Sequence, residues 1–280
     1  MRAFLLGAAI LALGACSDSN TDPTDPTDPT DPTDPTDPTD PTDPTDPTDP
    51  PTQDEILRDN DEVASILAAH LRAEFPVQLI AADLSKGIYP EGFTLTGTGE
   101  SGLEYSGVGA VGGLSFEFSY FCHGDPTPGD PLVPCDGLAH HSHFTLTLSG
   151  SQSMATISMD GIDRLSDWEI RDIALDKARF RGPDELSLST AVTTNGELAS
   201  YGLQATAAYD QVRYLANQTI PTFGTINFTL NVDRVRGDDN RVFTSTALLT
   251  YGGNAAPTTL VIDGSVTYNI DMAAGTATRL

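Results

Sequence analysis

The sequence predicts a mainly β domain: an antiparallel sheet, as an open curved sheet, a barrel or a sandwich, with one or two helices at its N-terminal end. Three observations carry that expectation. After Pro90 the apolar residues recur with period two, as in Phe116-Phe118-Tyr120, Phe144-Leu146-Leu148, Ile226-Phe228-Leu230-Val232 and Val266-Tyr268-Ile270-Met272. Thr and Ser dominate the positions between, as strands with one buried and one wet face require. Turn pairs punctuate the runs at Asp160-Gly161, Asn195-Gly196, Gly237-Asp238, Gly252-Gly253 and Asp263-Gly264, a spacing that fits about ten strands.

In chain order, the first element is a leader. Met1-Arg2 supplies a charged start and Ala3 to Leu13 an apolar run, too short for the roughly 20 residues that cross a hydrocarbon core. It closes on Leu13-Gly14-Ala15-Cys16, which resembles the lipobox of bacterial lipoproteins. The resemblance implies a signal peptide over residues 1–15 and a mature chain that begins at a lipid-modified Cys16. An ordinary signal cut near Ala15, with Cys16 incidental, is the other reading of the same residues. Acyl chains contribute about 0.8 kcal/mol per buried methylene, so several anchor a protein essentially permanently. Ser17 follows the cysteine where an aspartate would resemble an inner-membrane retention signal. The expectation is therefore a cell-envelope protein, lipid-anchored, at the outer membrane on its periplasmic face or at the cell surface. No later segment is expected to span a membrane.

Residues 16–52 form the tether. From Thr21 to Pro50 the triplet Thr-Asp-Pro repeats without a break. Proline fixes its own φ, removes a donor and pushes the preceding aspartate towards extended geometry. Nothing apolar is present to offset the entropy of folding. The expectation is a solvated polyproline-II-like stalk, at most on the order of 90 Å long at about 3.1 Å per residue.

The stalk distorts the formal charge of −26. Setting aside its ten aspartates, Asp18 and Arg2 leaves 29 acidic and 13 basic side chains over residues 53–280. A domain this acidic repels phosphates, which excludes nucleic acid as a partner and charge-driven adhesion to anionic lipid.

The folded part, residues 53–280, opens with helix signals. Thr52 and Glu55 have capping-box spacing, and Val63, Ile66, Leu67, His70 and Leu71 follow at helical intervals. His70 on that stripe reads as a core histidine. Pro76 is expected to stop or kink the helix, and Val77, Ile80, Ala81 and Leu84 make a second short stripe ended by Gly87. The charged segment from Trp168 to Arg181 reads as strand.

Two constellations carry possible chemistry. With Cys16 lipidated, Cys122 and Cys135 are the remaining pair, and an exported chain favours a disulfide between them. The other is histidine-rich: His123, then His140-His141-Ser142-His143. If residues 116–123 and 141–148 pair so that their apolar faces coincide, His123 lies opposite His141, with His143 two residues along the same polar face. Cross-strand Cβ atoms are about 5 Å apart, so the three imidazoles could hold zinc or copper, with Asp125 or Asp136 as a fourth ligand. Surface histidines beside a Gly/Pro loop also need no ligand.

No nucleophile elbow, phosphate-binding loop or zinc-binding helix pair occurs. Glu100, Glu104 and Glu117 are spacings that an acidic chain produces by chance. The leading expectation is non-enzymatic: an envelope lipoprotein that presents a β-rich binding or structural domain to a protein, glycan or apolar ligand. One alternative is a carrier that encloses an apolar ligand between a curved sheet and the helices. The other is a metal-binding protein built on His123, His141 and His143.

Overall fold

The computed structural model describes residues 50–124, 131–154, 157–175, 177–215, 218–253 and 256–280, with residues 73–76 described by backbone alone. Cys16, the repeat tract and Asp125 lie outside the described residues. One helix, α1 (Gln53–Leu84), precedes the sheet. The strands are β1 (Phe93–Thr98), β2 (Glu104–Val111), β3 (Leu114–His123), β4 (Leu132–Val133), β5 (His141–Ser153), β6 (Ser158–Arg171), β7 (Arg179–Thr194), β8 (Glu197–Arg213), β9 (Phe223–Arg236), β10 (Asp239–Thr250), β11 (Thr258–Ile262), β12 (Val266–Asp271) and β13 (Thr276–Arg279). All neighbours pair antiparallel in chain order, except that β4 is a short spur on β3, so β3 pairs directly with β5. Of the architectures expected, the molecule adopts the open curved sheet; it does not close into a barrel. Among the described residues thirteen strands occur, more than the ten anticipated.

The helix starts where the sequence indicates. The Thr52 hydroxyl accepts from the Glu55 N–H at 3.3 Å, and the Glu55 carboxylate accepts from the Thr52 N–H at 2.7 Å. It does not stop at Pro76. A proline inside a helix costs roughly 3 kcal/mol. Val63, Ile66, Leu67 and Leu71 before it, and Val77, Ala81 and Leu84 after it, are each 3% exposed or less. Burying even two side chains of that size, at about 1.5–3 kcal/mol each, offsets the proline. One continuous helix therefore replaces the two stripes. It ends at Ser85, and Gly87 follows at φ 74°, where a Cβ would lie 2.8 Å from the Cys135 carbonyl oxygen.

Within little more than one turn, α1 bonds to β8 (Glu62 with Tyr201), β10 (Asp59 with Arg241) and β12 (Asp61 with Tyr268). In a flat sheet β8 and β12 would be about 19 Å apart at roughly 4.8 Å per strand, wider than a helix of 10–12 Å. The sheet therefore curls round the helix, and its inner face is the core. Phe116, Phe118, Phe144, Leu146, Phe228, Leu230, Tyr268 and the stripe of α1 are buried there. His70 is buried too. By length and composition α1 is apolar enough to cross a membrane, contrary to the sequence expectation, but 71% of its apolar window is buried inside the domain.

Most turn pairs sit where expected. Asn195-Gly196 and Asp263-Gly264 both have positive φ at each residue, the geometry of tight hairpins. Asp160-Gly161 differs: it lies inside β6, at a bulge where pairing with β7 shifts between Asp160 and Asp163. A glycine at φ 56° serves a bulge as well as a turn. The segment from Trp168 is strand only to Arg171; a 3-10 turn at Ile173–Leu175 intervenes before β7 begins at Arg179.

Candidate functional site

Parity and register build the site. On β3, Phe116, Phe118, Tyr120 and Cys122 point inward, which leaves Phe121 and His123 on the outer face. On β5, Ser142, Phe144, Leu146 and Leu148 point inward and His141 and His143 outward. The pairing is the one that aligns the apolar faces: Phe116 opposite Leu148, Phe118 opposite Leu146, Tyr120 opposite Phe144, and hence His123 opposite His141. Stacked rings at Phe118–Phe144 (6.0 Å) and Tyr120–Phe144 (5.6 Å) fix that register from the inner side.

The three histidines converge as a result. One ligand nitrogen from each of His123, His141 and His143 lies within 4.8 Å of the other two. The His123 and His141 rings stack at 4.6 Å, and His143 stands edge-on to both, at 5.9 and 6.2 Å. Phe121 walls the cluster, stacked on His143 at 5.0 Å. Burial, and then the neighbouring His123, push the His141 imidazole below its ordinary value. That keeps it neutral and able to ligate at neutral pH.

The backbone beneath is held from three directions. Cys122 and Cys135 form the disulfide, which ties the intervening loop to the end of β3. The His140 N–H donates to the His123 carbonyl at 2.9 Å. Ser142, between the two β5 histidines, is buried with its hydroxyl 2.7 Å from that of Ser85 at the end of α1. Of the proposed fourth ligands, Asp125 is outside the described residues. Asp136 is not in the convergent group, and its Oδ1 accepts from the Leu138 N–H at 2.8 Å.

The sequence reads the segment from Trp168 as strand but does not place it beside the histidines, where β6 lies. β6 places Glu169 opposite His143 and Arg171 opposite His141. Burial would raise the Glu169 carboxyl, but Arg171, donating from Nε at 2.8 Å, outweighs it and holds the group below its ordinary value. The Glu169-Ile170-Arg171 alternation was the available signal.

Two further polar clusters are closed on themselves. On the inner face Arg164 pairs with Asp184, to which Ser166 also donates at 3.0 Å, and lies 5.1 Å over the Trp168 ring. At the start of α1, Asp59 and Glu62 meet Arg234, Arg236 and Arg241. Both clusters are buried apart from the partly exposed Arg236 and Arg241, and their charges meet one another. Shallow grooves lie on the polar outer face instead, such as one of about 390 Å³ lined by Asp163, Glu185, Ser187, Gln204, Thr206 and Asn231. No family model matches the chain, and neither a curated protein nor a solved structure is found to be similar to it.

Proposed function

We propose that this chain is a lipid-anchored envelope protein that presents a rigid β module on an acidic stalk, with binding rather than catalysis as its role. The observation that supports this most is the burial of α1 in the curl of the sheet. The helix fills the inner face with Val63, Ile66, Leu67, Leu71 and Leu84, each at most 1% exposed. A carrier of apolar ligands needs that space for its cargo. What the module offers a partner is the outer face, whose strands alternate Thr, Ser, Asn, Gln and acidic side chains against the buried ones. The anchor rests on Leu13-Gly14-Ala15-Cys16 and the reach on the Thr-Asp-Pro tract.

The test is fractionation of cells that express the parent and Cys16→Ser. The parent is expected with the membranes and the variant in the soluble fraction. Equal partitioning of both with the membranes would refute attachment through Cys16.

A further inference from the structure

We propose that His123, His141 and His143 form a divalent transition-metal site on the outer face, for zinc or copper, with one coordination position left to an exchangeable ligand. The inference is independent of the anchor and stalk.

Geometry comes first. Tetrahedral coordination at Zn–N distances of 2.0–2.1 Å puts ligand nitrogens about 3.3 Å apart. Those of the three histidines are within 4.8 Å, so closure on an ion needs shifts on the order of 1–1.5 Å, within reach of χ1 and χ2 adjustments alone. Such shifts leave the backbone in place, and here it is already fixed. The disulfide at Cys122 adjoins His123, and the buried Ser142–Ser85 contact sits between His141 and His143. A site whose strands are set beforehand loses little ordering entropy on binding, which is what makes three ligands sufficient.

Chemistry comes second. Three imidazoles with no thiolate suit zinc or copper. The cluster lies on the exposed side of the sheet, with His143 open to solvent, so an ion can enter. Glu169 is the nearest anionic neighbour on the adjoining strand, opposite His143, but Arg171 engages its carboxylate through Nε (2.8 Å) and Nη2 (2.7 Å). Both contacts are to Oε1, so the guanidinium offsets the carboxylate charge, and the fourth position is assigned to solvent rather than to Glu169. That position faces solvent, so water or a small anion occupies it. The net negative charge of the domain draws cations to the surface.

The experiment is cobalt(II) titration of the purified Cys16→Ser chain, which keeps every domain residue, followed by visible d–d absorption. Zinc and copper competition against bound cobalt follows. The parent is expected to bind one equivalent with the intense spectrum of a four-coordinate ion. The double variant His141→Ala/His143→Ala should lose more than about 100-fold in affinity, beyond the 10–100-fold typical of outer-shell changes. His140→Ala, on the same segment but outside the convergent group, should bind as the parent does. Circular dichroism of each variant establishes that it is folded. Added azide should shift the cobalt spectrum; an unchanged spectrum would overturn the exchangeable position. Equal affinity in parent and double variant, or the weak spectrum of an all-oxygen six-coordinate ion, would overturn the site.

Discussion

Replacing Asp59 by alanine should destabilise the domain by about 3 kcal/mol. The Asp59 carboxylate is 2% exposed and faces Arg234 Nε at 3.2 Å, Arg236 Nη2 at 3.2 Å and Arg241 Nη1 at 2.8 Å. Burial pushes its carboxyl above the ordinary value against the pull of Arg234, Arg241 and Arg236. The loss on substitution therefore comes less from a favourable carboxylate than from the arginines left behind. Removing one partner of a buried pair costs roughly 3–5 kcal/mol. The lower end applies here, because Arg234 keeps Asp239 at 2.6 Å and Arg236 keeps Glu62 at 2.7 Å, whereas Arg241 is open enough to gain water. At about 2–4 °C per kcal/mol for a domain of this size, the Tm should fall by about 6–12 °C. Far-UV circular dichroism on heating, with urea unfolding beside it, measures both quantities. The exposed Asp238→Ala is the control, expected within about 0.5 kcal/mol of the parent. If Asp59→Ala also stays within that range, the ion cluster is not what fastens α1 to β9 and β10.

Three further outcomes follow from the same structure. Replacing Cys122 and Cys135 by serine should cost about 3 kcal/mol, the loop-closure entropy for a separation of 13 residues, measured by urea unfolding with and without reductant; an unchanged midpoint would mean the bridge constrains nothing. Deleting residues 21–50 should leave the Tm of the domain nearly unchanged, since the compact unit begins at Pro51; a large fall would show that the tract packs on it. The His141 imidazole has a folded pKa below its unfolded value near 6.5, so the unfolded chain takes up that proton first. Its contribution to stability is present above about pH 6.5 and lost as pH falls through the folded pKa. His141→Gln should flatten the acid side of the Tm profile, and a profile as steep as the parent's would contradict the sign.

The legible parts of this fold are those fixed by period and parity. Phe116-Phe118-Tyr120 and Phe144-Leu146-Leu148 share parity, which rules out one-residue slips, and aligning the two rows end to end is the register observed, so His123 opposite His141 could be anticipated from the sequence. Pro76 does not stop the helix: its local cost is visible in the sequence, while the burial of Val77, Ala81 and Leu84 that offsets it is not. Asp160-Gly161 misled because a bulge and a turn both favour positive φ, and that bulge shifts the pairing between β6 and β7. The ion cluster under α1 was readable in principle. Arg234 and Arg236 continue the inward parity of Ile226-Phe228-Leu230-Val232, and Asp59 and Glu62 extend the Val63–Ile66 stripe by one turn. Opposite charges at matching ends of two buried faces are a docking signal.

If α1 permanently occupies the inner face, only the outer face is left for a partner. Native-state hydrogen exchange tests that occupancy most directly. The amides of residues 63–72 should open only with a free energy close to that of global unfolding, as those of β8 do, and should not change when an apolar ligand such as a fatty acid is added. Exchange of α1 through a local opening several kcal/mol cheaper than that of β8, or protection that changes with the fatty acid, would contradict the account and make the helix a lid over a ligand cavity.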